Sequence, residues 1–462
     1  MTKNVSIQFL GAAGTVTGSK FLLNTPGGSI LIDCGLFQGL KVLRLKNWQP
    51  LPVEPKTIRT VLLTHAHLDH CGYLPSLAKQ GFTGEILCTP PTADLAEVIL
   101  RDSARIQLED AQYANEKGFS KHHPAEPQYT EEDVDAILQR IRTVEDGEQR
   151  QVMHKVSATF RRNGHILGSS FIEVDCFGKR IVFSGDLGRP TSALLPTPVS
   201  LTRADFLVME STYGDRIHSS IQSADELTEM ILDTLRDKGN LLIPSFAVGR
   251  AQELMHMINE LKKANRIPDV PVYLDSPMGA DATRIFINHP KWHKLSPEQC
   301  ESIQQHVTII RKFEDTVKVI HRKESKIVIA ASGMLTGGRV LFYLEKYLKD
   351  KKNTILLTGY QSEGTRGRAL QDGVHEIRMH GVYVRVVAKI RSLSSMSAHA
   401  DQREMLDWMT PLEKAPERVF LVHGERSARE AFRVKIQSEL NWSVDTPEML
   451  EKIELFAPVD TQ

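Results

Sequence analysis

The chain has 462 residues, enough for two or three domains with full cores, and its 57 Lys+Arg balance its 57 Asp+Glu. With no net charge the whole-chain field gathers no polyanion, so a nucleic-acid partner must be held by a local groove, by metal ions or by another subunit. Five Cys (34, 71, 88, 176 and 300) show no CxxC spacing and an odd count, which argues against a disulfide framework and for a reducing, cytoplasmic setting, and no signal segment or membrane-length apolar run is evident.

Residues 1–212 alternate short strands with turns. Gly11-Ala12-Ala13-Gly14 reads as a turn, and Ser29-Ile30-Leu31-Ile32 as a strand delivering Asp33. Thr60-Val61-Leu62-Leu63-Thr64 is β-branched and apolar, as a buried parallel strand should be. It ends in His65-Ala66-His67-Leu68-Asp69-His70. His65 and His67 leave one face of an extended segment, and Asp69 and His70 follow as the chain turns. Three imidazoles and a carboxylate this close are costly to hold unless a cation takes their lone pairs. A zinc site takes about four ligands per ion, so partners must come from elsewhere. His165 lies among small residues in Asn163-Gly164-His165-Ile166-Leu167-Gly168. Asp186 ends the strand begun at Arg180, and His423 ends Val419-Phe420-Leu421-Val422. Each is a ligand at the C-terminal end of an apolar strand, where α/β sheets place their sites. Cys71 reads as a small buried packing residue and His122-His123-Pro124 as an exposed loop.

Apolar spacing predicts helices over Thr92 to Asn115 and Glu131 to Val144, with a loop over Lys117 to Gln128. From Tyr213 the pattern becomes regular β-α alternation. Ser223-Ala224-Asp225-Glu226 reads as a capping box opening a helix to Lys238. Strands are predicted at Asn240 to Pro244, Pro271 to Asp275, Lys326 to Ala331 and Asn353 to Thr358, with helices at Arg250 to Ala264 and Gly338 to Lys349. That is a parallel, doubly wound domain. Backbone N–H groups in the Gly-rich stretch around Ser332, Gly333 and Met334 are candidates to receive a phosphate; a plain strand-turn-helix connection explains the stretch equally well.

The set resembles the metallo-β-lactamase fold hydrolases, and more narrowly their β-CASP branch of nucleic-acid-processing nucleases, similar to the cleavage and polyadenylation specificity factor endonuclease subunit and its bacterial relatives. Asp33 matches the first motif of that superfamily, His65 to His70 the second, His165 the third and Asp186 the fourth. Glu210 in Leu207-Val208-Met209-Glu210-Ser211-Thr212 resembles motif A, His399 in Ser397-Ala398-His399-Ala400-Asp401 motif B, and His423 motif C. The resemblance covers nearly the whole chain. It implies an αββα sandwich at 1–212 and 381–462, with an inserted doubly wound β-CASP domain at 213–380.

The same resemblance implies two Zn²⁺ per chain: His65, His67 and His165 on one, Asp69, His70 and His423 on the other, and Asp186 bridging. Asp33, Asp69, Glu210 and His399 form the implied catalytic set. Asp33 is expected to orient a ligating His through its ring N–H. His399 is the candidate general acid, its pKa raised by Glu210, although a strand-end Glu can simply cap a turn. His399, with Ser332 to Met334, is the expected substrate contact. Arg385, Lys389 and Arg391 either line an RNA path or form a solvated strand face.

The implied activity is a zinc-dependent ribonuclease hydrolysing phosphodiester bonds of single-stranded RNA, endo- or 5′-exonucleolytically, in RNA processing or decay. His at the motif C position resembles RNA-processing members, whereas DNA-repair members carry Val. A small-molecule ester or thioester hydrolase of the same fold is one alternative, though such enzymes lack the insertion and His399. A metal-free scaffold subunit is another, though such subunits lose ligands of the second motif. Dimerisation into a homodimer, or another partner, is an expected source of extra grip, with no membrane partner. Neither the appended C-terminal domain of the bacterial RNase J group nor the KH module of the archaeal group is expected.

Overall fold

A computed structural model describes residues 4–118, 122–218 and 223–458. The chain divides into two compact units. Met1–Ser192, Pro196–Ile217 and His399–Gln462 form the first; Ala193–Leu195 and His218–Ala398 form the second.

Among the described residues, the first unit has two seven-stranded sheets. One runs in the order Lys452–Phe456, Val5–Phe9, Phe21–Thr25, Gly28–Ile32, Ile58–Leu62, Glu85–Cys88, Ile141–Thr143. The other runs Val444–Asp445, Arg418–Val422, Phe206–Glu210, Lys179–Phe183, Ser170–Cys176, Val156–Arg162, Gln149–Met153. Side chains alternate across each strand, so Ile7, Phe9, Phe21, Leu23 and Ile32 of the first sheet meet Phe160, Ile172, Ile181, Phe183 and Phe420 of the second in one core. Phe21 stacks on Phe183 at 6.3 Å and Phe9 leans on Phe420 at 5.6 Å. Each fully buried ring of this kind contributes about 1.5–3 kcal/mol.

Helices cover the outer faces. Val182, Leu207 and Leu421 pack on Met405 and Leu406 of the helix Gln402–Met409 and on Phe432 and Ile436 of Arg426–Leu440. On the first sheet Leu22, Leu31, Val61 and Ile86 are buried, as are Leu77, Leu95 and Ile137 of the helices Leu74–Lys79, Pro90–Lys117 and Glu131–Leu138. The result is an αββα sandwich. Gly28–Ile32 and Ile58–Leu62 are parallel neighbours, as are Lys179–Phe183, Phe206–Glu210 and Arg418–Val422. Their C-terminal ends therefore come out together.

The second unit has a six-stranded, all-parallel sheet in the order Thr308–Ile310, Val272–Asp275, Ile327–Ala330, Leu241–Pro244, Thr354–Thr358, Lys389–Leu393. Leu242, Val328 and Ile355 are buried with Val340, Tyr343 and Tyr347 of the helix Val340–Tyr347. A hairpin, Glu376–Met379 with Val382–Arg385, is also part of this unit.

Some elements differ from the sequence reading. The helix expected over Glu131 to Val144 stops at Leu138, and Ile141–Thr143 becomes an edge strand pairing with Glu85–Cys88. Val134 and Ile137 already bury the helix face, and the open sheet edge takes the backbone beyond them. Of the predicted loop at Lys117 to Gln128, residues 119–121 lie outside the described residues, while His122 and His123 are exposed. Lys389 of the basic run is spent on Asp233 and Asp237, at 2.8 Å from each. No helix among the described residues is long and apolar enough to cross a membrane.

Candidate metal centre

Strand ends and turns of the first unit gather every predicted ligand. His65, His67, His165 and Asp186 form one group and Asp69, His70 and His423 another, with ligand atoms inside each group within 4.8 Å of one another. His65 to His70 leave the end of Ile58–Leu62 and enter the short helix Leu68–Cys71. His165 occupies the turn between Val156–Arg162 and Ser170–Cys176, where its N–H donates to Ser169 Oγ at 3.0 Å. The Ser170 N–H donates to Thr64 O at 3.0 Å and so ties this turn to the residue before His65.

The backbone around the ligands leaves little room for change. Asp33 (φ 57°) and His423 (φ 47°) both sit in the left-handed region, which costs a non-glycine residue about 1 kcal/mol or more. The His423 N–H donates to Ala12 O at 2.7 Å, and a Cβ on Gly424 would fall 2.3 Å from Ser211 Oγ. A Cβ on Gly35 would lie 1.6 Å from Asp69 O, and one on Gly188 would lie 2.4 Å from His165 N.

Asp186 stands between the two groups. Its Oδ2 is 3.5 Å from His65 Nε2 and 3.5 Å from His165 Nε2; its Oδ1 is 3.2 Å from His70 Nε2. His67 Nδ1 lies 3.1 Å from both His65 Nε2 and His165 Nε2. In the second group His423 Nε2 is 3.3 Å from His70 Nε2 and 3.4 Å from Asp69 Oδ2. Burial holds His65 and His165 well below the ordinary histidine range and His67 at about 4, so these three rings stay neutral with lone pairs to offer. Burial also opposes charge on His70, but Asp186 and Asp33 override it and favour its protonated form.

A metal fits this donor set. Ring nitrogens and carboxylate oxygens converge without thiolates, and Asp186 Oδ1 is buried without a hydrogen bond. Neutral imidazoles plus carboxylates are the ligands that Zn²⁺ favours. The site thus offers a cation what the polypeptide alone leaves unmatched.

The outer contacts fix each ring. His70 Nδ1 lies 2.7 Å from Asp33 Oδ2, which turns Nε2 toward Asp186. Thr64 Oγ1 bridges Asp33, at 2.9 and 3.0 Å, to His65 Nδ1 at 3.1 Å. One carboxylate thereby orients a ring in each group. Thr212 Oγ1 does the same for His423 Nδ1 at 3.1 Å. Asn163 Nδ2 donates to the carbonyls of Ser184 and Asp186 at 2.9 and 2.8 Å. Sequence reasoning missed Thr64, Thr212 and Asn163; their adjacency to motif residues was the available signal.

Glu210 and His399 stand beside Asp186. His399 Nδ1 is 3.1 Å from Glu210 Oε1, and its Nε2 is 4.0 Å from Asp186 Oδ2. Glu210 is fully buried and also accepts from the N–H groups of Leu187 (2.7 Å) and Thr212 (3.2 Å). Gly188 bridges to His399 through the backbone, so the segment after Asp186 carries the imidazole. Burial alone would depress His399, but Glu210, Asp186 and Asp69 raise it to about 9. Cys71 is buried, gives its Sγ–H to Ala66 O at 3.2 Å and joins neither group.

Ser332, Gly333 and Met334 lie in the second unit, on the turn after Ile327–Ala330. Ser332 Oγ accepts from the Thr336 N–H at 3.0 Å, Gly333 O from Gln361 Nε2 at 3.3 Å and Met334 O from the Gly367 N–H at 3.2 Å.

Family models match three stretches of the chain: the metallo-β-lactamase superfamily over residues 14–232, a β-CASP domain over 251–370, and a Zn-dependent metallo-hydrolase RNA specificity domain over 383–447. Ribonuclease TTHA0252 of Thermus thermophilus is 35% identical over 90% of this chain and 92% of its own length. The chain belongs to the β-CASP branch of the metallo-β-lactamase superfamily. Other relatives include an RNase J-like protein of Methanocaldococcus jannaschii, 32% identical over 98% of both chains. Transcription termination factor FttA of the same organism is 31% identical over 92% of this chain and 67% of its own. A crystal structure of a protein of unknown function from Enterococcus faecalis V583 covers 98% of this chain and 100% of that one, with a TM-score of 0.54 at 12% identity, and shows the shared fold.

Proposed function

We propose that the chain is a zinc-dependent ribonuclease that hydrolyses phosphodiester bonds of single-stranded RNA, with two zinc ions per chain. The observation that carries this reading is Asp186, which turns one carboxylate oxygen toward each of two ligand groups. His65, His67 and His165 would hold one ion, Asp69, His70 and His423 the other, and Asp186 both. Bound there, the ions would make a water acidic enough to attack at neutral pH and offset charge building on the phosphate.

The remaining chemistry belongs to the chain. His399, protonated at neutral pH through Glu210, is placed to hand a proton from Nε2 to the leaving oxygen. Asp33 and Thr64 hold the rings of His70 and His65 so that Nε2 faces inward in both. The unit His218–Ala398 is, in this reading, the β-CASP insertion within a discontinuous catalytic domain, and its Ser332 to Met334 turn is the expected phosphate contact. Five buried, unpaired thiols suit a protein working in the reducing cytoplasm. The names of the relatives, a ribonuclease and an RNase J-like protein, support RNA over a small ester as substrate. The complete ligand set argues against a metal-free scaffold.

The test is hydrolysis of a 5′-labelled single-stranded RNA, beside matched DNA, by zinc-loaded protein and by Asp69→Ala. Cleavage of the RNA that the variant lacks is expected, and product lengths separate internal cuts from 5′ trimming. An intact RNA with two zincs bound would overturn the reading.

A further inference from the structure

We propose that the segment Leu40–Trp48 is a contact surface for the single-stranded RNA that the metal centre cleaves; the inference rests on the ribonuclease reading and names where that substrate is held. The segment is a short helix, Lys41–Arg44, running into a 3₁₀ turn, Leu45–Trp48. The helix buries none of its own residues. Val42, Leu45 and Trp48, three apart and therefore on one side, are 65, 53 and 60% exposed. An indole this open beside two aliphatic side chains is a surface waiting for a flat apolar partner.

Charge identifies the partner. Lys41, Arg44 and Lys46 flank the stripe, and no acidic residue occurs between Asp33 and Glu54. Several exposed cations elsewhere are spent on neighbours: Arg101 on Glu97, Arg105 on Asp102, Arg433 on Glu430. On a chain with 57 charges of each sign, three cations on one exposed segment form the local patch a polyanion needs. Phosphates meet the cations and bases lie on Trp48, the combination by which single strands are held without sequence preference. A second copy of the chain is the poorer occupant. A two-fold contact would lay this patch on itself and set three cations against three.

The segment is also fixed to the metal centre. Asn47, buried, clamps Phe37 with two hydrogen bonds of 2.8 Å, one to its N–H and one to its carbonyl. The Phe37 ring lies over the buried Lys20 Nζ at 4.5 Å, and a Cβ on Gly18 would come within 2.5 Å of it. Just before Phe37, the N–H groups of Leu36 and Cys34 donate to the carbonyls of Leu68 (3.0 Å) and His70 (2.7 Å). The exposed stripe is therefore mounted on the same backbone that carries Asp69 and His70, and a strand held on it has a defined position relative to those ligands.

The experiment is equilibrium binding of a fluorescein-labelled single-stranded RNA of about 15 nucleotides, within the span such surfaces cover, in the full chain carrying Asp69→Ala so that the RNA persists. Adding Lys41→Ala, Arg44→Ala and Lys46→Ala together is expected to weaken binding about tenfold or more at 0.1 M salt. The slope of log affinity against log salt should fall by about 2, as three lost phosphate contacts on a single strand require. Trp48→Ala alone should weaken binding about tenfold and leave that slope unchanged. Lys41, Arg44 and Trp48 are exposed and Lys46 is half-buried, so the thermal midpoint should move little. Isotherms unchanged in both variants, or no RNA binding before they are introduced, would overturn the proposal. So would a Trp48→Ala protein that sediments as a monomer where its parent is a dimer and binds RNA as before. Failure of the ribonuclease reading looks different: the unvaried protein leaves RNA intact while the isotherms behave as stated.

Discussion

At the scale of single residues, the centre works by removing freedom from its side chains. Asp33 illustrates this: one carboxylate fixes His70 directly and His65 through Thr64, so a residue outside both ligand groups sets a ring in each. His399, the proposed general acid, is its counterpart, held charged by Glu210 against the pull of burial. His399→Ala should keep both metals, read by elemental analysis, and lower kcat about a hundredfold, the usual cost of losing a general acid. The pH profile tests the pairing with Glu210. A general acid must carry its proton, so kcat falls as pH rises through the pKa of His399. Glu210→Gln removes the opposite charge that raises that pKa, and the alkaline limb should move to lower pH by about one unit or more. An unmoved limb would mean that Glu210 only caps the turn through Leu187 and Thr212.

At the scale of elements, the ligands converge because parallel strands end together. Asp33 and Thr64 follow adjacent strands of one sheet; in the other, Asp186 and His423 follow, and Glu210 ends, adjacent strands. Gly35 lets the first of these ends meet the helix carrying Asp69. With its Cβ position 1.6 Å from Asp69 O, Gly35→Ala should destabilise the fold by about 1–3 kcal/mol and weaken metal retention, read by thermal unfolding with and without chelator. Much of this scale was legible in advance. Apolar strands ending in His65, Asp186 and His423 declare both their burial and their chemistry. The strand Ile141–Thr143 was not legible, because Ile137 and Ile141 fit helical spacing and only the free edge of Glu85–Cys88 decides otherwise. Lys389–Leu393 was legible only as one of two readings, a solvated strand face or an RNA path, and parallel pairing with Thr354–Thr358 makes it an edge strand. Thr64 and Thr212 escaped notice since a hydroxyl carries no motif signal without the ring it touches.

At the scale of the whole molecule, a neutral chain must concentrate its chemistry locally. The first unit holds the ligand groups, the His399–Glu210 pair and the exposed basic segment, while its sandwich core supplies the rigidity such a site needs. In the proposed reading, two ions joined through Asp186 would make one hydrolytic centre. Zinc titration of chelator-stripped protein against cleavage of labelled RNA tests it most directly. No turnover is expected until the second equivalent per chain binds, then full activity, with Asp186→Ala holding less metal and cleaving nothing. Full turnover at one equivalent, or an Asp186→Ala protein that keeps two zincs and cleaves RNA, would contradict it.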